Sequence, residues 1–235
     1  MNDFIIYISL FLVAFLGGLL VIWKKPKVNQ NFKLLLSFSG AFLLAICFLH
    51  LIPELYHDYS PSIGLFILIG FVLQLLLEFF SQGIEHGHLH YHGDKKTIFP
   101  YTVFISLCFH ALMEGMALTD PHHHDDGQPL LLGILIHKFP VAIILCTLLL
   151  ASGIKNSKLI LSLIVFSLAA PIGLFIANQL GNSLNFDTSI FLALAVGIFL
   201  HISTTILFET SEGHKFHLKK FVSIIIGLVA AVIML

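Results

Sequence analysis

Arginine is missing altogether from this chain, and charge of either sign is scarce. Only 11% of its 235 residues are Asp, Glu, Lys or Arg, whereas a water-soluble domain carries about 25%. That excludes a soluble globular fold, and the absence of a basic patch argues against a nucleic-acid partner. Cysteine is almost as rare. Cys47, Cys108 and Cys146 fall inside apolar stretches, where they read as small buried residues and give no disulfide framework. Glycine-rich phosphate loops are missing apart from weak glycine pairs, and no His-Glu-x-x-His occurs. The opening Met1-Asn2-Asp3 lacks the basic residues of a cleavable signal peptide, and Lys24-Lys25 follow the first apolar run instead.

Hydrophobic residues are what the chain has in plenty, at 57% with a mean hydropathy of +0.97. These features predict an all-α membrane protein: an eight-transmembrane-helix bundle forming a single domain over residues 1–235. The candidate spans lie near 4–22, 34–55, 62–82, 98–119, 130–151, 159–180, 189–209 and 217–235. Each is about 19–22 residues long, enough to cross roughly 30 Å of hydrocarbon at about 1.5 Å per residue. The partner of such a surface is membrane lipid.

Lysine placement supports the same division. Lys24, Lys25, Lys27 and Lys33 lie at the first connection. Lys95 and Lys96 lie in the third, Lys155 and Lys158 in the fifth, and Lys215, Lys219 and Lys220 at the seventh. With alternating spans all of these face one side, and the other loops carry no lysine. The positive-inside rule makes that side cytoplasmic and places both termini outside. Lys138 is the exception, because it falls inside the fifth span.

The third connection, residues 83–97, is a cytoplasmic His-rich loop. It places His86, His88, His90 and His92 at alternate positions, a metal-attracting tract. The external fourth loop carries His122, His123 and His124 before Asp125 and Asp126. Short loops and the lack of a signal peptide fit a cell membrane, the bacterial cytoplasmic membrane in particular.

Ionisable residues also lie within the apolar spans: His50, His110, His137 and His201, with Glu54, Glu78, Glu114 and Glu209. A charge at the bilayer centre costs at least about 2.5–3.5 kcal/mol, so such groups face a protein interior or a polar path. His110 and Glu114 are four apart, on one helix face. His137 lies in the next span, an antiparallel neighbour by virtue of the short loop. An imidazole, a carboxylate and a second imidazole make a ligand set for Zn²⁺, and also for Fe²⁺, Mn²⁺, Cd²⁺ or Co²⁺. His50 and Glu54 repeat the four-residue spacing near the outer end of the second span, a candidate entry point. His201, with Thr204 and Thr205 nearby, is a second candidate on a metal pathway. Glu78 and Glu209 sit near cytoplasmic ends. Pro140 lacks an amide hydrogen and its ring crowds the Ile136 carbonyl, so a distorted helix is expected beside His137. Pro171 and Pro53 predict similar disturbances.

His110-x-x-x-Glu114-Gly115 followed by His137-Lys138 resembles the fourth and fifth transmembrane signatures of the ZIP family of divalent-metal transporters. His50-Leu51-Ile52-Pro53-Glu54, Ala170-Pro171-Ile172-Gly173, the eight spans and the His-rich third loop agree with it. The resemblance implies a transporter rather than an enzyme. It implies zinc uptake toward the cytoplasm through a site between the fourth and fifth spans, a homodimer, and an alternating-access or elevator-like movement. Many members hold a second metal. Here the corresponding places carry Ala111, Lys138 and Val141. An ammonium beside the first site repels a second cation, so Lys138 reads as the charge substitute for the second metal. Ligation needs deprotonated His and Glu, so uptake is expected to vary with pH. The competing classes are an intramembrane metal-dependent hydrolase, a membrane haem protein with paired His ligands, and a metal sensor that binds without transport.

Overall fold

A computed structural model of the chain describes residues 3–24, 30–58, 62–81, 99–119, 128–184, 186–208 and 218–234. No strand occurs among them. Helix suits the long uninterrupted apolar runs, since backbone groups in a bilayer must be satisfied internally and a helix does so within its own segment.

The elements run α1 (Asp3–Lys24) and α2 (Gln30–Ile46), then a π-helical turn (Cys47–Leu51) and α3 (Ile52–Asp58). There follow α4 (Ile63–Ser81) and α5 (Tyr101–Met116) with a 3₁₀ turn at its end (Ala117–Thr119). The last four are α6 (Gln128–Ala151), α7 (Asn156–Leu184), α8 (Ser189–Phe208) and α9 (Leu218–Met234). Among the described residues, seven stretches of 19 to 29 residues are long and apolar enough to cross a membrane. They match the first seven candidate spans. The eighth corresponds to α9, of which 17 residues are described.

The proline expectations divide. Helix continues unbroken through Pro140 in α6 and through Pro171 in α7. Each proline removes one amide donor, and the flanking hydrogen bonds keep the helix continuous. Pro53 behaves differently. The turn just before it is widened, and the Ile52 amide donates to the Cys47 carbonyl five residues back. A π turn of this kind relieves the clash between a proline ring and the carbonyl four residues earlier.

The helices pack in two sets. In one, α1 lies along α6 and α7, and α5 lies along α7. In the other, α4 packs on α8, and α2 packs on both α8 and α9. The sets meet where α2 touches α6 and α4 touches α5. Each set contains a crossing made by a pair of glycines. A Cβ on Gly115 would stand 2.0 Å from the Ala170 carbonyl oxygen, and one on Gly173 the same 2.0 Å from that of Leu112. In the second set a Cβ on Gly70 would stand 2.0 Å from the Leu194 carbonyl oxygen, and one on Gly197 the same distance from that of Ile67. Lipid supplies no hydrophobic drive for helices to associate, so close backbone approach through small residues does that work. Large side chains such as Leu68, Val72, Leu75 and Phe79 on α4 point outward and are exposed, which suits a surface solvated by acyl chains.

Candidate metal centre

Polar groups collect in the interior where α5 and α6 approach. His110 and Glu114 follow one another by a turn on α5, and His110 Nε2 lies 3.1 Å from Glu114 Oε1. His137 enters from α6. Its ring stands nearly perpendicular to that of His110, at 86°, with centroids 6.0 Å apart. His110, Glu114 and His137 each offer a ligand atom, and these atoms lie within 4.8 Å of one another. All three residues are buried, at 1% exposure or less. A Zn²⁺ ion held at about 2.0–2.1 Å by N and O ligands needs those atoms roughly 3.3 Å apart. The His110–Glu114 pair already stands close to that spacing, and the His137 ligand atom lies within 4.8 Å of both.

The neighbour relation behind this cluster differs from the loop-length expectation. α5 and α6 touch at few points along their backbones; the extended packing of α5 is with α7, and that of α6 with α1 and α2. The short connection therefore does not lay the fourth span flat along the fifth. The two helices flank a gap that their polar side chains fill.

Lys138 completes the cluster. Its Nζ donates a hydrogen bond to Glu114 Oε2 and forms an ion pair with it. The ammonium also stands 5.8 Å from the centroid of the Phe166 ring on α7, within cation–π range. Lys138 is 1% exposed, so it does not snorkel to the surface. Pairing is what makes such burial tolerable, because a buried ion without a partner costs several kcal/mol. Ala111 and Val141, the other places where the resemblance puts second-metal ligands, are buried and apolar. They offer no donor atom.

The remaining sequence candidates lie apart from the trio. His50 falls in the π turn and Glu54 in α3, with His50 Nε2 3.8 Å from Glu54 Oε2 and each side chain 19% exposed. His201 on α8 reaches α4 instead. Its Nε2 is 3.3 Å from Glu78 Oε2, and its ring meets that of Phe71 edge-on at 4.8 Å. Thr204 and Thr205 donate to the His201 carbonyl within their own helix. Among the described residues only His110, Glu114 and His137 gather in a group of three or more possible ligands. His86, His88, His90 and His92, like His122–His124 and Glu209, lie outside the described residues.

Two polar features were missed in the sequence. Thr119, at the end of α5, donates to Asn178 Oδ1 on α7, and Asn178 Nδ2 donates to the Tyr7 hydroxyl on α1 at 3.3 Å. Gln74, one turn before Glu78, is completely buried. Gln74 is a lone amide in an apolar run, the same signal that singled out His110, whereas Asn178 is followed directly by Gln179 and reads as a polar helix end.

This arrangement of long apolar helices around buried ionisable groups is that of a multi-pass membrane protein. A family model described as ZIP zinc transporter matches residues 86–235, and the chain belongs to that family, whose members are transporters and not enzymes. It is 26% identical over 177 residues to zinc transporter ZIP9 of Micropogonias undulatus, covering 68% of this chain and 57% of that protein. ZIP9 of Xenopus tropicalis is 28% identical over 166 residues, covering 63% and 53%. The chain thus spans about half the length of these relatives. An uncharacterized protein of Methanocaldococcus jannaschii aligns more fully, at 26% over 232 residues, covering 94% of this chain and 93% of the other.

Proposed function

We propose that this chain carries zinc across a cell membrane toward the cytoplasm, through a site formed by His110, Glu114 and His137 between the fourth and fifth spans. The observation that carries this reading is the convergence of three buried ligands from α5 and α6 inside an apolar bundle. The names of the ZIP9 relatives support zinc as the cargo. Fe²⁺, Mn²⁺, Cd²⁺ and Co²⁺ share these ligand preferences and are the competing cargoes. Three ligands from two helices suit transport, since an ion that must leave again is better served by an incomplete cage than by a closed four-thiolate site.

One ion occupies the site in this reading. Lys138 holds the place and the charge of a second. Zinc enters past His50 and Glu54, binds the trio, and leaves toward the His-rich loop of residues 83–97, with His201 and Glu78 on the exit side. Both termini lie outside, all of residues 1–235 form one transporter domain, and two copies associate as a homodimer. The two helix sets supply a physical basis for alternating access, because α1, α5, α6 and α7 can shift together against α2, α4, α8 and α9.

The deciding experiment is zinc flux into proteoliposomes made with the purified full chain. The wild type is expected to take up zinc. His110→Ala is expected to abolish uptake while still purifying as folded protein, and Glu114→Ala to abolish uptake with some loss of stability, since it leaves Lys138 buried without its partner. Normal uptake by both variants removes the site assignment.

A further inference from the structure

The Glu114 carboxylate is shared between two partners of different kinds. Oε1 faces the ligand side, 3.1 Å from His110 Nε2. Oε2 is held by the Lys138 ammonium. Both residues are 1% exposed, and the Phe166 ring on α7 backs the ammonium. Zinc can therefore be held through Oε1 without evicting Lys138 from Oε2. When zinc leaves, the acid and the ammonium still cancel. The pair thus belongs as much to the empty site as to the loaded one.

That distinction matters for a carrier, which must return empty after each delivery. A site whose only charged ligand is a carboxylate would make that return with a bare anion in a low-dielectric interior. Such a charge is expensive inside a membrane. We propose that Lys138 is a tethered counter-cation for the emptied site, which neutralises Glu114 after release and lets the unloaded protein reset. Net uptake then proceeds without zinc on the far side. The inference rests on the zinc-site reading above and extends it from what the site binds to how the cycle closes.

Proteoliposomes containing the full chain test this with labelled zinc outside and either no zinc or unlabelled zinc inside. For the wild type the two uptake rates are expected to agree within about threefold, since a neutral empty site adds little to the return barrier. Internal zinc that accelerates wild-type uptake by roughly tenfold or more would mean that the empty return is slow despite Lys138, and the proposal would fall. In Lys138→Met the ratio of exchange to net uptake is expected to rise by about tenfold or more, since an uncompensated carboxylate is costly inside a membrane. Lys138→Arg, which keeps the charge, is expected to bring the ratio back. Equal losses of net uptake and exchange in Lys138→Met, or no change in their ratio, overturn the idea. If Lys138→Met does not purify folded, the wild-type ratio decides alone. His110→Ala separates the two readings: if it retains both rates, the zinc site is wrong, whatever the Lys138 variants do.

Discussion

Gly115 on α5 and Ala170 on α7 are packed backbone to backbone: a Cβ at residue 115 would stand 2.0 Å from the Ala170 carbonyl oxygen. No side chain fits there unless the helices separate. Gly115 directly follows Glu114, so separation would also displace a proposed ligand. Gly115→Ala is expected to cost roughly 1–3 kcal/mol by overpacking, seen as a lower melting temperature of the detergent-purified protein, and to reduce zinc uptake with it. A variant with unchanged melting and uptake would mean that this crossing neither holds the bundle nor sets the position of Glu114.

The proposed single-ion occupancy rests on three side chains around the trio. Ala111 and Val141 supply no ligand atom, and Lys138 brings a positive charge to the remaining position. A protein in which His86, His88, His90, His92 and His122–His124 are replaced by Ser is expected to bind one zinc tightly per chain, measured by titration calorimetry and metal analysis. It is also expected to keep more uptake than His110→Ala, because in the proposed reading the loops attract metal without forming the crossing site. Two tightly bound ions at the membrane site would contradict the role given to Lys138.

The legibility of this molecule in its sequence follows from which contacts are local. Apolar runs of membrane length announce the helices, because only an internally bonded backbone is tolerated in lipid. His110, Glu114, His137 and Lys138 stand out because each breaks such a run. Which helices press together is another matter. The Gly115–Gly173 crossing joins the fourth span to the sixth, and Gly70–Gly197 joins the third to the seventh. No local pattern pairs residues so far apart, so the short-loop rule offered the fifth span as the main neighbour of the fourth. His201 likewise gave no hint of its partner Glu78, on a helix more than a hundred positions earlier. The prolines mark the same limit. All three sit in helices, yet only Pro53 is accompanied by a widened turn.

That widened turn places His50 in the π segment and Glu54 a few residues beyond it in α3, with Nε2 and Oε2 3.8 Å apart and both side chains partly exposed. π turns often carry functional side chains because the extra residue re-aims them. A His/Glu pair suits capture rather than tight retention, since two ligands hold a metal more weakly than three. Substituting it should therefore weaken the collection of zinc from dilute solution more than it slows the crossing step. His50→Ala is expected to raise the KM for zinc uptake while changing the maximal rate much less, because loss of an early binding contact acts on association at low substrate. Glu54→Gln is expected to act in the same direction. Initial rates in proteoliposomes over a range of free zinc concentrations measure both quantities. A fall in maximal rate at constant KM would move this pair from the entrance of the path into the crossing step itself, and an unchanged profile would remove it from the path.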